Sequence, residues 1–514
     1  MTQSAPVAPV DSAANAPAWT RLLALVLLAA PLVFFALFNA TYFAWGDEVQ
    51  FVDPAASAYF GKGFTSTAWP YQTSKEVFAG NAPGYSLLLV PWFAVWGFGL
   101  DQARWLNVPL AYGAALIILS ALRQVAPKMP FWLMALAVCT SYFGVGALIS
   151  GGSARYDVLG LLVAAWIFKL LCAAPRTDGR AALMLAGAAT FYAGFHLVAA
   201  LVIVLLLLVA QDRRRFSRAA LFLGFGISLG MATWLAVLTF EGLFIKFFIM
   251  LFGSQHTLSG QMAKLVLQGD KSVLGKINAF RSLATLDWSL TVVAILLVAL
   301  LAAQWLPTGA RDTASAAGTA NRLIGWLAID FAFILPLALL FIGKFPVYYS
   351  WIAYVPAVLI TCIWSWRSFE RSSRWPLMAF VGVATVAATL GLGQRILYRD
   401  IDPGSATYGD FNSWVKASLK PDDIVYADHE AYFAARSVAS RVLVPTYGQT
   451  ALVRGIPERD LLTALVVQNT HVTQVVALVG GEWNPQGSFV PPALTAGLSK
   501  LDFTLLRRAV KPAP

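Results

Sequence analysis

The chain alternates long apolar runs with short polar segments over most of its length. Runs of roughly 17–25 apolar residues predict membrane-spanning helices. Such runs fall near 20–44, 102–123, 129–150, 156–174, 181–194, 196–211, 218–240, 287–306, 322–342, 349–366 and 375–394. The fifth and sixth are short and joined by FYAGFH, so a pair of half-depth helices is an alternative there. The pattern predicts an all-α polytopic membrane bundle of about eleven transmembrane helices plus juxtamembrane helices.

One further apolar segment, 84–99, contains Pro91, Gly97 and Gly99 and is short for a span. The positive charges decide its status, because cytoplasmic loops are rich in Lys and Arg. If 84–99 does not cross, every basic short loop lies on the cytoplasmic side: Arg123 and Lys128; Arg176 and Arg180; Arg213, Arg214, Arg215 and Arg218; Arg311 and Arg322; Arg367, Arg371 and Arg374. We therefore predict a re-entrant or juxtamembrane helix at 84–99, with the N-terminus inside and the C-terminus outside.

This topology divides the chain into three parts. We predict that residues 1–19 are a disordered cytoplasmic tail, 20–394 the membrane domain and 395–514 an extracytoplasmic domain. A first loop (45–101) and a middle loop (241–286) also face outward, and the middle loop has the spacing of amphipathic surface helices. In the last part, strand-length runs at 423–428, 441–445, 473–479 and 503–509 alternate with helix-like stretches at 407–419 and 457–469. That alternation predicts a small α/β domain.

Composition supports this architecture. Of 514 residues 58% are hydrophobic and 12% are charged, which is more apolar surface than a soluble protein of this size can bury. Much of the net charge of +11 lies in short loops, so it indicates orientation and not nucleic-acid binding. Cys139, Cys172 and Cys362 all lie in apolar runs, without the spacing of a disulfide framework or a metal site.

Polar residues near a bilayer are costly and point to function. Several map to the predicted outer face, although they are far apart in sequence: Asp47, Glu48, Arg155, Asp157, His196, His256 and Lys344. Each also has a structural interpretation. The acids at 47 and 48 can mark a helix end in water, Arg155 and Asp157 can pair at a helix start, and Lys344 can extend to the interface. In the C-terminal domain, solvated surface or satisfied structure is favoured over function for His429, Glu430 and His471.

Four segments, in this order, resemble the GT-C superfamily of membrane glycosyltransferases, in particular aminoarabinose transferases of lipid A and protein O-mannosyltransferases. They are WGDEVQ, APGYSLLLVPWFAVWGFGLDQARWLNVP, SARYDVLGLLVAAW and IGKFPVYYSWIAYVPAVL, and the likeness covers about residues 20–365. It implies a sugar transferase that uses a polyprenyl-phosphate donor and a glycolipid, glycan or protein acceptor at the outer face of a bacterial inner membrane, usually with inversion.

The resemblance also implies roles for residues. Asp47 matches the general base, Glu48 its acidic neighbour, Asp157 a second acid, and Lys344 the basic residue near the carrier phosphate. Tyr85 and Tyr348, within the second and fourth segments, are grouped with the substrate-binding residues. The family's Glu-Lys pair in the first loop is replaced by FAGNAP, so candidates to replace its Lys are Lys75, Arg155, Lys264 and Arg281. His256 resembles a histidine of the family's middle loop. A divalent metal is therefore possible from the resemblance, but no cofactor is assigned.

Two other classes of function remain open from the sequence. A transporter or flippase of lipid-linked sugars would show paired internal repeats and polar residues near mid-membrane, and neither is evident here. A non-catalytic subunit that binds an envelope polymer through the C-terminal domain would not need Asp47, Glu48 and Asp157.

Overall fold

The computed structural model describes residues 17–38, 44–69, 72–173, 179–253, 287–305, 347–370, 373–400, 408–445, 457–491 and 501–509. Most of these residues are helical, and a small sheet lies near the C-terminus. The helices of the first half are α1 (Ala18–Phe38), α2 (Gly46–Tyr59), α3 (Gly84–Trp96), α4 (Leu100–Trp105), α5 (Asn107–Val125), α6 (Phe131–Tyr142), α7 (Val145–Gly151), α8 (Asp157–Ala173), α9 (Arg180–Ala193), α10 (Phe195–Gln211), α11 (Arg213–Phe240) and α12 (Phe244–Gly253).

The second half contains fewer described helices. They are α13 (Trp288–Trp305), α14 (Trp351–Glu370), α15 (Trp375–Asp400), α16 (Tyr408–Ser418), α17 (Tyr432–Arg436) and α18 (Val472–Val479). The strands within the described ranges are β1 (Ile424–Ala427), β2 (Arg441–Leu443), β3 (Ala464–Gln468), β4 (Trp483–Phe489) and β5 (Phe503–Arg508). Helix α15 continues to Asp400, past the start at 395 that the sequence predicts for the last domain.

Several of the predicted spans are long, apolar helices in the structure. Within the described ranges, five helical segments have the length and composition to cross a membrane: Ala18–Ala36, Leu100–Val125, Phe216–Phe240, Trp351–Glu370 and Trp375–Ile396. Helices α6 and α7 pass the same test together, with a bend of 75° between them. The predicted run at 322–342 lies outside the described residues, so the count of eleven stays a prediction.

Helix α3 occupies the segment that the charge pattern assigns to a non-crossing position. Its 13 residues extend about 20 Å, less than the hydrocarbon core of about 30 Å. Pro91 lies inside the helix, and Gly97 ends it with a φ of 81°, a left-handed conformation that glycine adopts without strain. The length therefore fits a helix that does not cross.

The structure changes the interpretation of the first outer loop. Asp47 and Glu48 do not end the first membrane helix; they lie in the first turn of a separate helix, α2, where acids are favoured. Residues 48–57 of α2 are buried, although the helix has few strongly apolar residues. A buried, polar helix of this kind carries no hydrophobic signal, which is why the sequence does not reveal it.

The C-terminal sheet has the order β2-β1-β3-β5-β4. Strand β1 pairs in parallel with β2 and β3, and β5 runs antiparallel to β3 and β4. The structure bears out the strands expected at 423–428, 441–445 and 503–509, and the helix expected at 407–419.

Two predictions in this domain were wrong. Residues 473–479 form helix α18, with Val475 and Val479 on the buried side at the spacing of one helical turn. Residues 457–469 contain a 3₁₀ turn (Pro457–Leu461) and then β3. Strand β4 was missed because it is an edge strand whose sequence, WNPQGSF, includes Pro and Gly.

The sheet domain packs directly on the first outer loop. The carboxylate of Asp53 in α2 accepts hydrogen bonds from the Tyr432 hydroxyl, the Ser66 hydroxyl and the Thr67 amide. Thr67 in turn donates to the carbonyl oxygen of Val442 at 2.6 Å. The two parts therefore share one buried polar network, and the last domain is fixed against the segment that carries Asp47.

Candidate active site

The two acids at the start of α2 point into different surroundings. Glu48 has no exposed side-chain surface, whereas 35% of the Asp47 side chain is exposed. Glu48 also accepts the backbone N–H of Trp45 at 3.3 Å, a contact that fixes the entry into the helix. The two neighbouring carboxylates therefore differ in accessibility: Glu48 is internal and Asp47 lies at the surface.

Glu48 is paired with a buried arginine. Arg104 Nε and Nη2 donate to Glu48 Oε1 and Oε2, both at 2.8 Å, and the Ala154 amide donates to Oε1 at 2.7 Å. Arg104 is 2% exposed. A two-pronged pair of this kind is directional and strong when water is excluded. It ties α2 to α4 and to the segment before α8.

Asp47 belongs to a second group, the Asp–Arg–Asp cluster, which consists of Asp47, Arg155 and Asp157. Arg155 Nη1 donates to Asp47 Oδ2, and Arg155 Nε donates to Asp157 Oδ2 at 2.8 Å. Arg155 and Asp157 are each 1% exposed. Arg155 therefore links an accessible carboxylate to a buried one.

Asp157 begins α8 and receives a further bond from α14. The indole N–H of Trp351 donates to Asp157 Oδ1 at 3.2 Å, so both oxygens of this carboxylate are occupied. A buried carboxylate with this pattern holds the guanidinium in place, and at 1% exposure it is much less accessible to substrate than Asp47. Within the cluster, the exposed acid is Asp47.

Aromatic rings surround the guanidinium of Arg155. Its Cζ lies 4.1 Å from the ring centre of Tyr348 and 5.0 Å from that of Trp45. The hydroxyls of Tyr156 and Tyr349 are 2.8 Å apart, and His196 stacks on Tyr349 with centroids 5.4 Å apart. Cation–π contacts favour a buried guanidinium and restrict its orientation. The rings also keep water away from the Arg155 side of the cluster.

A third buried acid supports the turn that carries Tyr348. Asp287 caps α13 by accepting the Leu290 amide at 2.9 Å and the Ser289 hydroxyl at 2.6 Å. Its other oxygen accepts the hydroxyl of Ser350, one residue before Trp351. One carboxylate thus fixes both a helix start and the segment from which Tyr348 and Trp351 reach the cluster.

The C-terminal domain also reaches this site. A Cβ atom on Gly46 would lie 3.2 Å from His429 Cε1 and 3.3 Å from Nε2, so the imidazole lies against the backbone of the residue before Asp47. Burial lowers the pKa of His429 below its usual range, against the opposing effects of Asp428 and then Asp47. A lowered pKa favours the neutral imidazole near pH 7.

The structure brings together five of the residues that the sequence singles out: Asp47, Glu48, Arg155, Asp157 and Tyr348. Tyr85 is buried and donates to the Ala103 carbonyl at 3.1 Å, beside the Glu48–Arg104 pair. Lys75 is exposed, and none of the described contacts joins it to the Asp–Arg–Asp cluster. Lys344, Arg281, His256 and Lys264 lie outside the described residues.

Three important residues were not predicted as parts of the site: Arg104, Trp351 and His429. Arg104 was visible as a charged residue inside an apolar stretch, which is a usable signal. Trp351 is one of 18 tryptophans in the chain, and its position in the sequence does not distinguish it from the others. His429 lies almost four hundred residues from Asp47 in the sequence, and only the docking of the two domains reveals its position.

The described residues do not assemble a metal site. No group of three or more His, Cys, Asp or Glu side chains within these ranges is arranged to hold a metal ion. The acids near Asp47 are instead satisfied by arginines, which compete with a cation for the same oxygens. His256, which leaves a divalent metal open, lies outside the described residues, so that question stays a prediction.

No family model and no curated protein matches the chain. Several solved structures match it, and three of them align over most of the chain. They are apo ArnT from Cupriavidus metallidurans (13% identity, 97% of this chain and 100% of that chain, TM-score 0.48), ArnT from Cupriavidus metallidurans bound to undecaprenyl phosphate (13%, 96% and 99%, 0.43) and the Archaeoglobus fulgidus oligosaccharyltransferase in complex with Zn and sulfate (11%, 90% and 72%, 0.46).

These are proteins to which the chain is similar, and their names agree with the resemblance carried by the four sequence segments. Likenesses with TM-scores below 0.5 do not transfer a function. The function therefore rests on the side chains of the site.

Proposed function

We propose that this protein is a membrane glycosyltransferase that moves a sugar from a polyprenyl-phosphate carrier to an acceptor hydroxyl. The proposal is based on the accessibility and the fixed orientation of the Asp47 carboxylate. Its carboxylate is about one-third exposed, while the arginine that holds it is buried and anchored by a second carboxylate. An accessible, oriented carboxylate is what a general base requires.

The base in this proposal is Asp47 and not Glu48. Glu48 is fully buried and uses both oxygens on Arg104, so it has no free position for a proton from substrate. Glu48 instead positions the start of α2. Asp157 has the corresponding role for Arg155, since both of its oxygens already accept hydrogen bonds.

The proposed step is a single displacement at the anomeric carbon. The acceptor oxygen forms a bond to this carbon as its proton passes to the Asp47 carboxylate. The bond between the anomeric carbon and the phosphate oxygen breaks, and its electron pair leaves with the polyprenyl phosphate. Attack from the face opposite the leaving group inverts the configuration of the sugar.

The departing phosphate carries negative charge, which a nearby cation stabilises. Lys344 is proposed for this role from its sequence segment, three residues before Val347 and the turn that carries Tyr348. Arg155 is less suited to it because both acids of the cluster already share its charge. A lipid-linked donor also accounts for a site built at the ends of apolar helices.

A deletion strain tests this function and identifies the acceptor. Envelope glycolipids, glycans and glycoproteins are compared by mass spectrometry with and without the gene, after complementation with wild type, Asp47→Asn or Glu76→Gln. Glu76 is the matched control, because it is an acid of the same loop that pairs with Lys246 instead of Arg155.

The proposal expects one glycan mass to be lost on deletion, restored by wild type and by Glu76→Gln, and not restored by Asp47→Asn. Restoration by Asp47→Asn at normal abundance would contradict it. Loss of the glycan together with accumulation of the lipid-linked sugar on the cytoplasmic side of the membrane would indicate a flippase instead.

A further inference from the structure

The strand order of the small sheet predicts a crevice at the edge that lies near Asp47. Strand β1 lies between β2 and β3 and is parallel to both, so the connections that follow β1 and β3 leave toward opposite sides. In open α/β sheets such a switch point leaves a crevice at the carboxyl ends of the strands, where ligands bind. Here those ends carry the turns His429–Ala431 and Asn469–His471.

The edge at which this crevice is predicted carries a buried carboxylate, Asp428. Asp428 is 4% exposed. Its Oδ2 accepts a hydrogen bond from the backbone N–H of Gln468 at 2.8 Å and lies 3.2 Å from His471 Nδ1. Among the described contacts, no hydrogen bond reaches Asp428 Oδ1. His471 is 48% exposed, so its imidazole is accessible from solvent.

The crevice is joined to the candidate active site by His429. The turn that begins with His429 packs against α2, and its imidazole lies against Gly46, one residue from Asp47. The docking of the domain is fixed by Tyr432 on Asp53 and by Thr67 on the Val442 carbonyl. The carboxyl edge of the sheet thus faces the carboxylate that is proposed to receive the acceptor proton.

We propose that this crevice binds the acceptor as a neutral, hydroxyl-rich saccharide, with Asp428 and His471 as its hydrogen-bonding groups and His429 as the residue that positions the reacting hydroxyl at Asp47. Neighbouring sugar hydroxyls can donate to Asp428 Oδ1 and to His471 Nε2, which is an acceptor when Nδ1 carries the proton shared with Asp428. The two turns and the residues beside them, 428–431 and 468–472, contain no Lys or Arg. An anionic head group is therefore a poorer fit. This inference rests on the proposed function.

The first test separates acceptor binding from chemistry. Purified protein in liposomes receives labelled polyprenyl-phosphate sugar and increasing amounts of lipid extract from cells that lack the gene. Asp428→Asn and His471→Ala should raise the apparent KM for the extract about tenfold, with kcat and the donor KM nearly unchanged. His429→Gln should also lower kcat, because it misplaces the hydroxyl.

The matched control is Asp460→Asn. Asp460 is also an acid of this sheet domain, but it lies before β3, at the opposite edge of the sheet, and is 85% exposed. It should behave as wild type.

Gly46→Ala is a second variant that tests the role of His429. The added methyl group would press on the imidazole and should reproduce the His429→Gln defect. Wild-type KM values for Asp428→Asn and His429→Gln would overturn the inference and leave the transferase proposal intact.

A binding measurement decides the inference even if the wild-type protein transfers no sugar. The chain has four histidines, so ¹³C-histidine NMR of the full-length protein in detergent is tractable, with signals assigned by His→Gln variants. Millimolar methyl glycosides should shift the His471 and His429 signals in wild type and in Asp460→Asn, but not in Asp428→Asn. If these signals do not move in wild type, or move equally in Asp428→Asn, the crevice is not a saccharide site.

Discussion

Two buried arginines hold the acids of this site, and they differ in what they leave exposed. Arg104 occupies Glu48 completely, whereas Arg155 holds Asp47 from one side only. The sequence brought Asp47, Arg155 and Asp157 to one predicted membrane face, because each is a costly charge next to an apolar run. It could not assign partners, since pairing depends on packing between α2, α4 and α8.

Because the planar guanidinium of Arg155 donates to two carboxylates, we predict that lysine cannot replace it. A lysine keeps the charge but has no planar pair of donors to reach Asp47 and Asp157 together. Arg155→Lys should lower turnover about a hundredfold through misplacement of Asp47, as measured by transfer from labelled polyprenyl-phosphate sugar. Arg123→Lys, an exposed arginine on α5, is the control and should retain activity. Full activity of Arg155→Lys would show that charge alone is enough.

The burial of Glu48 predicts a stability effect that Asp47 does not share. Glu48→Gln leaves Arg104 buried without its counter-charge, which costs about 3–5 kcal/mol. Asp47→Asn alters a carboxylate that water reaches, so its unfolding temperature in detergent should stay near wild type. Adding Arg104→Met to Glu48→Gln should recover much of the lost stability. Equal destabilisation by Asp47→Asn and Glu48→Gln would refute this division of roles.

At the scale of elements, hydrophobic pattern was a good guide where a helix or strand buries a continuous apolar face. Helices α5 and α14 and strand β1 lie where the hydrophobic pattern predicts them. It failed for α2, which is buried through small and polar residues, and for α18, where a Val-rich run forms a helix. Both failures come from tertiary packing, which decides between conformations that local preference leaves close in energy.

The cap of α13 yields a prediction at this scale. Asp287→Ala removes the cap, worth about 0.5–2 kcal/mol, and also frees the Ser350 hydroxyl that precedes Trp351. Both the unfolding temperature and turnover should fall, because Tyr348 and Trp351 lose their support. Ser350→Ala keeps the cap and should lower turnover more than stability. A less stable but fully active Asp287→Ala variant would show that Asp287 does not hold Tyr348 and Trp351 in place for catalysis.

At the scale of the whole molecule, the docking of the sheet domain on the first loop was beyond prediction from sequence. Its contacts join residues nearly four hundred positions apart, such as Tyr432 and Asp53. Orientation, in contrast, is a prediction from the charge pattern alone, which assigns the basic loops to the inside and the sheet domain to the outside.

Labelling with a membrane-impermeant maleimide checks that orientation. In a background without Cys139, Cys172 and Cys362, Glu482→Cys should react in cells whose outer barrier has been opened. Arg214→Cys should react only after the inner membrane is broken. Both positions are exposed in the structure. The reverse pattern would place the sheet domain in the cytoplasm and contradict the assigned topology.

The most direct test of the central claim is turnover by purified Asp47→Asn. With labelled polyprenyl-phosphate sugar and acceptor lipid extract, wild type and Glu76→Gln should release polyprenyl phosphate and form labelled product at similar rates. Asp47→Asn should lose at least about a hundredfold in rate, as expected for a missing general base, with its unfolding temperature unchanged. Wild-type turnover by folded Asp47→Asn would contradict the assignment of Asp47 as the base.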